Sequence, residues 1–294
     1  MPPTPPPIAR PLTARQRVVV LTLLALLAFA GNSLLCRMAL RHTGIDAASF
    51  TSVRIVAGAI ALWLIVRVRA GPQRLAGSWP SALALFAYAA AFSFSYVSLT
   101  AATGALLLFG AVQVTMIGYG WWAGERLRGR QTMGLLLAVA GLIGLLLPGL
   151  SAPPLQGSLL MVAAGIAWGV YSLRGRGSGD PLGVTAGNFM RAVVLVIALS
   201  VATLPWASID GPGVGYAVAS GALTSGVGYA IWYSALAGLK ATSAATVQLS
   251  VPVIAALGGA LVLDEPLTLR LVIAGAAVLS GIALVVIDKP PPRR

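Results

Sequence analysis

The chain has 294 residues, of which 58% are hydrophobic and only 9% charged. A soluble domain carries about 25% charged residues, so there is too little charge here to cover a surface facing water. The formal net charge is +13. The basic residues occur as short groups between apolar runs, with no basic stripe interleaved with aromatics, which argues against nucleic acid as a partner and for loops facing anionic lipid.

The first segment, residues 1–17, is proline-rich and reads as a disordered tail. Ten apolar stretches near the length that crosses a bilayer follow: Val18–Met38, Ala47–Val66, Trp79–Leu99, Ala101–Trp122, Gln131–Leu147, Leu155–Leu173, Leu182–Leu204, Val214–Leu236, Ala241–Leu263 and Thr268–Ile287. A second short tail, residues 288–294, closes the chain. The Ala28-Phe29-Ala30 triplet fits a small-x-small cleavage site, but the apolar run continues past it to Leu35, so the stretch is taken as a helix. The spans do not alternate in the period-two manner of barrel strands. A backbone in lipid must then satisfy its own hydrogen bonds as helices, and the fold class is an all-α integral membrane bundle of ten transmembrane helices. The connection at Leu99, Thr100 and Ala101 is barely a turn, which predicts a tight antiparallel hairpin of the third and fourth helices.

Lys and Arg divide unequally between the two sets of span ends. One set carries fifteen, including Arg15, Arg17, Arg67, Arg69, Arg126, Arg128, Arg130 and Arg174; the other carries Arg37, Arg41 and Arg270. The excess of basic residues on cytoplasmic loops places both termini in the cytoplasm and the protein in the inner (plasma) membrane.

The halves resemble each other. At an offset of 137, Arg37 falls on Arg174 and Arg54 on Arg191; at an offset of 140, Glu125 falls on Glu265 and Gly141 on Gly281. Five spans is an odd number, so consecutive copies insert with opposite orientation. The domains are then residues 18–150 and 151–287, two inverted five-helix repeats of the kind many secondary transporters use. Ala140 with Gly144 and Ala277 with Gly281 have small-xxx-small spacing in equivalent helices, predicted to be scaffold.

These residues carry a resemblance to a known family. Asn32, Arg54, the turn from Thr100 to Thr103, Gly124-Glu125-Arg126, the Ala241–Ala245 stretch, Pro252 and Asp264-Glu265-Pro266 resemble the EamA-type repeats of the drug/metabolite transporter superfamily. The resemblance spans about residues 18–287. Within the superfamily the chain is similar to the YddG-type exporters of aromatic amino acids, which implies a secondary transporter or facilitator working by alternating access. The first half has Val112 where the second has Pro252, so only the ninth span is expected to break there.

The sequence offers little catalytic chemistry. There is no phosphate-binding G-x-x-x-x-G-K-[ST] loop. A single Cys36 and a single His42 build neither a metal cluster nor a triad, so no cofactor and no enzyme activity are expected. All seven acids lie at or near span ends. Proton-coupled carriers usually place an acid within the membrane, so a facilitator is the simpler expectation. The amides Asn32, Gln113, Asn188 and Gln248 lie at membrane depth and read as interhelical glue or substrate contacts. Tyr88, Phe92, Trp168 and Tyr229 are deep aromatics suited to an apolar binding cavity. Trp63, Trp121, Trp122 and Trp206 suit the interface. Arg54 and Arg191 are embedded charges, either snorkelling or anchoring a substrate carboxylate. The substrate-binding candidates are therefore Asn32, Tyr88, Phe92, Gln113, Trp168, Tyr229 and Gln248, with Arg54 and Arg191 as carboxylate anchors. The partners expected are a small metabolite and membrane lipid, for a chain acting as a monomer. A receptor would need a signalling domain or long loops, and a lipid scramblase has no need of the inverted repeat.

Overall fold

The computed structural model describes residues 13–69, 75–124, 126–149, 151–175, 179–239, 244 and 247–287. Most of both predicted tails, together with Glu125, Lys240 and the Ala241–Ala245 stretch apart from Ala244, lies outside the described residues. Among those described there are ten long helices, a single 3-10 turn at Leu204–Trp206 and no strand: α1 Ala14–His42, α2 Ala47–Val68, α3 Trp79–Tyr96, α4 Ala101–Trp122, α5 Gly129–Leu146, α6 Leu155–Arg174, α7 Pro181–Thr203, α8 Gly211–Leu236, α9 Ser250–Val262 and α10 Leu269–Ile287. Eight of these are long and apolar enough to cross a membrane; α9 is a shorter apolar helix. The remaining helix, α3, carries the polar and aromatic residues that its packing partners inside the bundle accommodate.

The apolar runs become helices at the lengths that polar caps allow. Thr13, Asp46, Ser78, Thr100 and Asp210 each accept a backbone N–H of the first turn with a side-chain oxygen. Such caps satisfy donors that a helix end otherwise leaves orphaned. The ninth span divides just ahead of Pro252, which sits in the first turn of α9 after a break at Leu249. Proline is tolerated there because its missing N–H would have no partner anyway. α4 runs unbroken through Val112.

The bundle is turned inside out relative to a soluble protein. Leu23, Leu27, Ile60, Leu64, Leu83, Leu136, Ile143, Ile166, Ile197 and Leu257 face outward, whereas Asn32, Arg37, Arg54, Asn188 and Glu265 are buried. Helix packing repeats across the two halves. α3 lies on α6 as α8 lies on α1, α4 lies on α6 as α9 lies on α1, and α2 meets α7 and α5 meets α10 as self-paired contacts. Exchanging the first five helices with the last five maps this pattern onto itself.

The expected α3–α4 hairpin does not form. The two helices barely touch beyond their turn because α6 wedges between them. Glycines make the wedge possible: a Cβ on Gly157 would run into Ser98, and Cβ atoms on Gly165 and Gly169 would run into Ala111 and Thr115 of α4. The α5–α10 seam also differs in detail from the small-residue spacing. Gly134 and Gly141 of α5 lie against Gly281 and Val278 of α10, while a Cβ on Gly144 would meet nothing. Gly144 instead lines an apolar groove of ≈440 Å³ with Leu137, Ala140, Ile273 and Ala277.

Candidate functional site

Seven residues into α2, about 10 Å along the helix axis at 1.5 Å per residue, Arg54 turns inward and is 2% exposed. It does not snorkel. Its Nη2 donates to the Tyr88 hydroxyl at 3.2 Å. Its guanidinium carbon stands 4.7 Å from the centroid of the Phe92 ring and 5.4 Å from that of Tyr88. Its Nη1 is buried with no hydrogen-bond partner. A guanidinium against aromatic faces gains a cation–π attraction, but that does not replace an acceptor for an N–H.

Two features hold Arg54 in place. One is a stretch of π-helix in α8, residues Ala219–Val227. Such wide turns are rare and gather at functional sites. This one brings Gly221 against the Arg54 carbonyl so closely that a Cβ there would collide with it. The other is an amide hub. Ser220 of the same stretch donates to Asn32 Oδ1 at 2.7 Å, Thr224 Oγ1 shares its proton between the Ser220 carbonyl at 2.7 Å and Asn32 Oδ1 at 3.1 Å, and Asn32 Nδ2 reaches the Tyr88 hydroxyl at 3.4 Å. Asn32 thereby ties α1 to α8 and to the tyrosine that touches Arg54.

Aromatic rings complete the cluster. Tyr88 lies 4.8 Å from Trp168, and Trp168 stacks on Tyr229 at 5.5 Å and on Tyr171 at 5.2 Å. Phe92 meets Tyr88 and, edge-on, Tyr96. Tyr229 also packs near Phe29 and Phe189. The cluster draws on α1, α2, α3, α6, α7 and α8, from both halves of the chain.

The sequence candidates separate clearly. Asn32, Arg54, Tyr88, Phe92, Trp168 and Tyr229 converge. Gln113, on α4, and Gln248, just before α9, take no part in the cluster's hydrogen bonds. Arg191 lies near the middle of α7, beside the end of the bundle where α3 starts, and its Nη1 donates to the carbonyls of Ala76 at 2.9 Å and Gly187 at 2.8 Å. Asn188 accepts from the Ser78 amide at 2.9 Å and acts as interhelical glue at that same end. Ser220, Gly221 and Thr224 escaped the sequence reading, because nothing local marks a wide helical turn; the Ser-Gly-x-x-Thr-Ser-Gly run was the available signal.

A second buried charge closes the opposite end of the bundle. Arg37 Nε lies 2.9 Å from Glu265 Oε1, and Arg37 Nη1 donates to the carbonyls of Tyr96 and Val97 at 2.9 and 3.2 Å. Glu265 Oε2 accepts the Ala101 amide at 2.7 Å. Asp264 takes a left-handed backbone, φ 51°, which aspartate tolerates better than most residues. The Glu265 amide then folds back on the Gly259 carbonyl, bringing the carboxylate under α4. Arg37 and Glu265 stood out in sequence as repeat landmarks rather than as partners. At the same end Asp46 and Ser208 exchange hydrogen bonds, and Asp210 accepts the Gly44 amide. Burial alone would push the Asp46 carboxyl up. Hydrogen bonds from Ser49, Ser208 and Ala48 outweigh it and hold the group below the usual carboxylate range. Among the described residues no three His, Cys, Asp or Glu side chains converge to hold a metal.

Residues 155–287 match the model of the EamA-like transporter family. An uncharacterized protein of Pseudomonas aeruginosa is 59% identical over 271 residues, covering 92% of this chain and 94% of its own length. An uncharacterized transporter of Archaeoglobus fulgidus is 27% identical over 165 residues, covering 55% of this chain and 59% of its own. One crystal structure, 20% identical, is similar in fold at a TM-score of 0.63 and covers 92% of this chain and 98% of its own.

Proposed function

This chain carries an EamA-like transporter family domain over residues 155–287, and we propose that it is a secondary transporter or facilitator exporting small carboxylate-bearing metabolites, of the size and kind of aromatic amino acids, by alternating access around the Arg54 cluster. That domain and the membrane-length helices make it a multi-pass membrane protein. The substrate and the mechanism are the reading offered here.

One observation carries the reading: Arg54 is buried among aromatic rings with an orphaned N–H and, among the described residues, no acid paired with it. A buried charge without a partner costs several kcal/mol, and an unmet donor adds about 1–3 kcal/mol. Such a group contributes nothing to the stability of the empty protein, but it provides a ready partner for a substrate carboxylate. The symmetric packing of the halves supports alternating access, since two inverted units can exchange conformations around a site between them. Opening the end that carries Arg37 requires breaking the Arg37–Glu265 pair. In this reading both termini are cytoplasmic, the chain works as a monomer in the inner membrane, and the gradient of the substrate drives its export.

The test is uptake into liposomes reconstituted with the purified chain, using labelled amino acids, organic acids, nucleosides and drugs. If no solute moves faster than in protein-free liposomes, the proposal fails. Arg54→Gln at normal membrane expression is expected to lower transport about 10- to 100-fold, the worth of a charge-assisted hydrogen bond. A strict requirement for a pH gradient would eliminate the facilitator version.

A further inference from the structure

Resting on the reading of the Arg54 cluster as the substrate site, we infer that its preferred substrate class is the aromatic or arylalkyl monocarboxylate that lacks an α-amino group, rather than the zwitterionic amino acid. The inference comes from counting what the cluster gives and what it accepts. It gives a full positive charge with a free Nη1 donor. Among the described residues it offers a cation only neutral oxygens and no carboxylate, and those of Asn32 and Tyr88 already accept. Asn32 Oδ1 receives the Ser220 hydroxyl, and the Thr224 hydroxyl, whose shorter bond goes to the Ser220 carbonyl, stands 3.1 Å from it. The Tyr88 oxygen receives Arg54 Nη2 and faces Asn32 Nδ2.

An amino acid bound by its carboxylate to Arg54 would hold its ammonium group one carbon away, close to the guanidinium. That ammonium needs a carboxylate, a free carbonyl or an open ring face. The described acids Asp46, Asp180, Asp210, Asp264 and Glu265 all sit at helix ends, and Glu265 is committed to Arg37 and the Ala101 amide. The ring faces are engaged as well: Phe92 and Tyr88 by the guanidinium, and Trp168 by Tyr171 and Tyr229. A desolvated ammonium beside a like charge with no carboxylate to pair it is the arrangement buried sites avoid. A carboxylate on an apolar ring meets every group of the cluster with its complement.

Three compounds that share a phenyl ring on a two-carbon arm separate the possibilities: 3-phenylpropionate, phenylalanine and phenethylamine. Each is assayed for uptake into proteoliposomes of the full chain and for binding to the detergent-solubilised chain by calorimetry. We expect 3-phenylpropionate to be bound and taken up at least ~10-fold better than phenylalanine, because the ammonium finds no charged partner, with phenethylamine weakest. Arg54→Gln should erase the preference and Arg54→Lys should keep its order. The ranking on the unaltered chain stands as a test even where a variant misfolds. Phenylalanine equal to or better than 3-phenylpropionate overturns the inference and leaves the transport reading standing. Binding of 3-phenylpropionate without uptake upholds the site and sinks the transport reading. If 3-phenylpropionate is neither bound nor taken up, the inference is overturned, whatever other solutes move.

Discussion

Arg37 and Arg54 lie on neighbouring helices, are both buried, and have opposite surroundings. Arg37 faces a carboxylate at 2.9 Å and two backbone carbonyls, and the carboxylate in turn caps α4 through the Ala101 amide. Every charge there has a partner drawn from a different element, and the product is a clasp across α1, α3, α4 and the α9–α10 connection. Arg54 has one phenolic oxygen, two ring faces and an empty donor. The comparison separates a charge kept for architecture from a charge kept for a visitor. Burial alone does not distinguish them; the count of partners does.

The largest effect should come from unbalancing the clasp. Glu265→Gln leaves the Arg37 charge buried without its counter-ion, which costs about 3–5 kcal/mol and should appear as a large fall in Tm in detergent. Replacing both members, Arg37→Met with Glu265→Leu, should recover most of that loss, since a buried pair exchanged for apolar side chains is often neutral. A double variant as unstable as the single one would show that the clasp does more than neutralise charge. The same experiment on the other arginine should run the other way. Arg54→Gln removes an unpaired charge, so the Tm should stay level or rise while transport falls. A Tm drop matching that of Glu265→Gln would mean that Arg54 is structural and that the comparison is wrong.

Smaller effects test what holds Arg54 in place. Gly221→Val pushes a side chain into the Arg54 carbonyl and should cost about 1–3 kcal/mol through overpacking, with transport lost alongside. Ser220→Ala removes one of the two hydroxyls on Asn32. Interhelical hydrogen bonds in membranes are worth about 0.6 kcal/mol, so its Tm change should be slight. The smallest effect concerns Asp46, whose native hydrogen bonds hold its carboxyl low. A depressed carboxylate contributes stability that is fully present above its unfolded value, about 3.9, and is lost as pH falls through the lower folded value. A Tm-against-pH curve from neutral pH to below 4 should show that loss, and Asp46→Asn should flatten it.

Much of this was legible in the sequence, for physical reasons that can be named. Helix positions follow from hydropathy because lipid leaves the backbone no other partner. Ala101–Trp122 appears at its expected limits, and most other ends fall within a few residues of theirs. The break ahead of Pro252, and its absence at Val112, follow from the missing proline N–H. Tyr88, Phe92, Trp168 and Tyr229 were identifiable as deep aromatics. What stayed hidden was which of equivalent residues meet. Arg54 and Arg191 fall on each other at one sequence offset, yet one enters the aromatic cluster and the other donates to the Ala76 carbonyl ahead of α3 and to the Gly187 carbonyl one turn back on its own helix. Asn32 reaches the cluster, whereas Gln113 and Gln248 do not enter its hydrogen bonds. The α3–α4 hairpin failed because turn length dictates where two helices start but not what slides between them; the glycine face of α6 decided that.

The sequence alone determined that this is an all-helical membrane bundle, because length, apolar composition and the need for internal hydrogen bonding act locally and leave one solution. Only the tertiary structure decided that the π-helical stretch of α8 sets Gly221 against Arg54, that Glu265 folds back to Arg37, and that Arg54 keeps a donor with no acceptor. Those outcomes depend on contacts between residues far apart in the chain, where geometry rather than composition selects the partner.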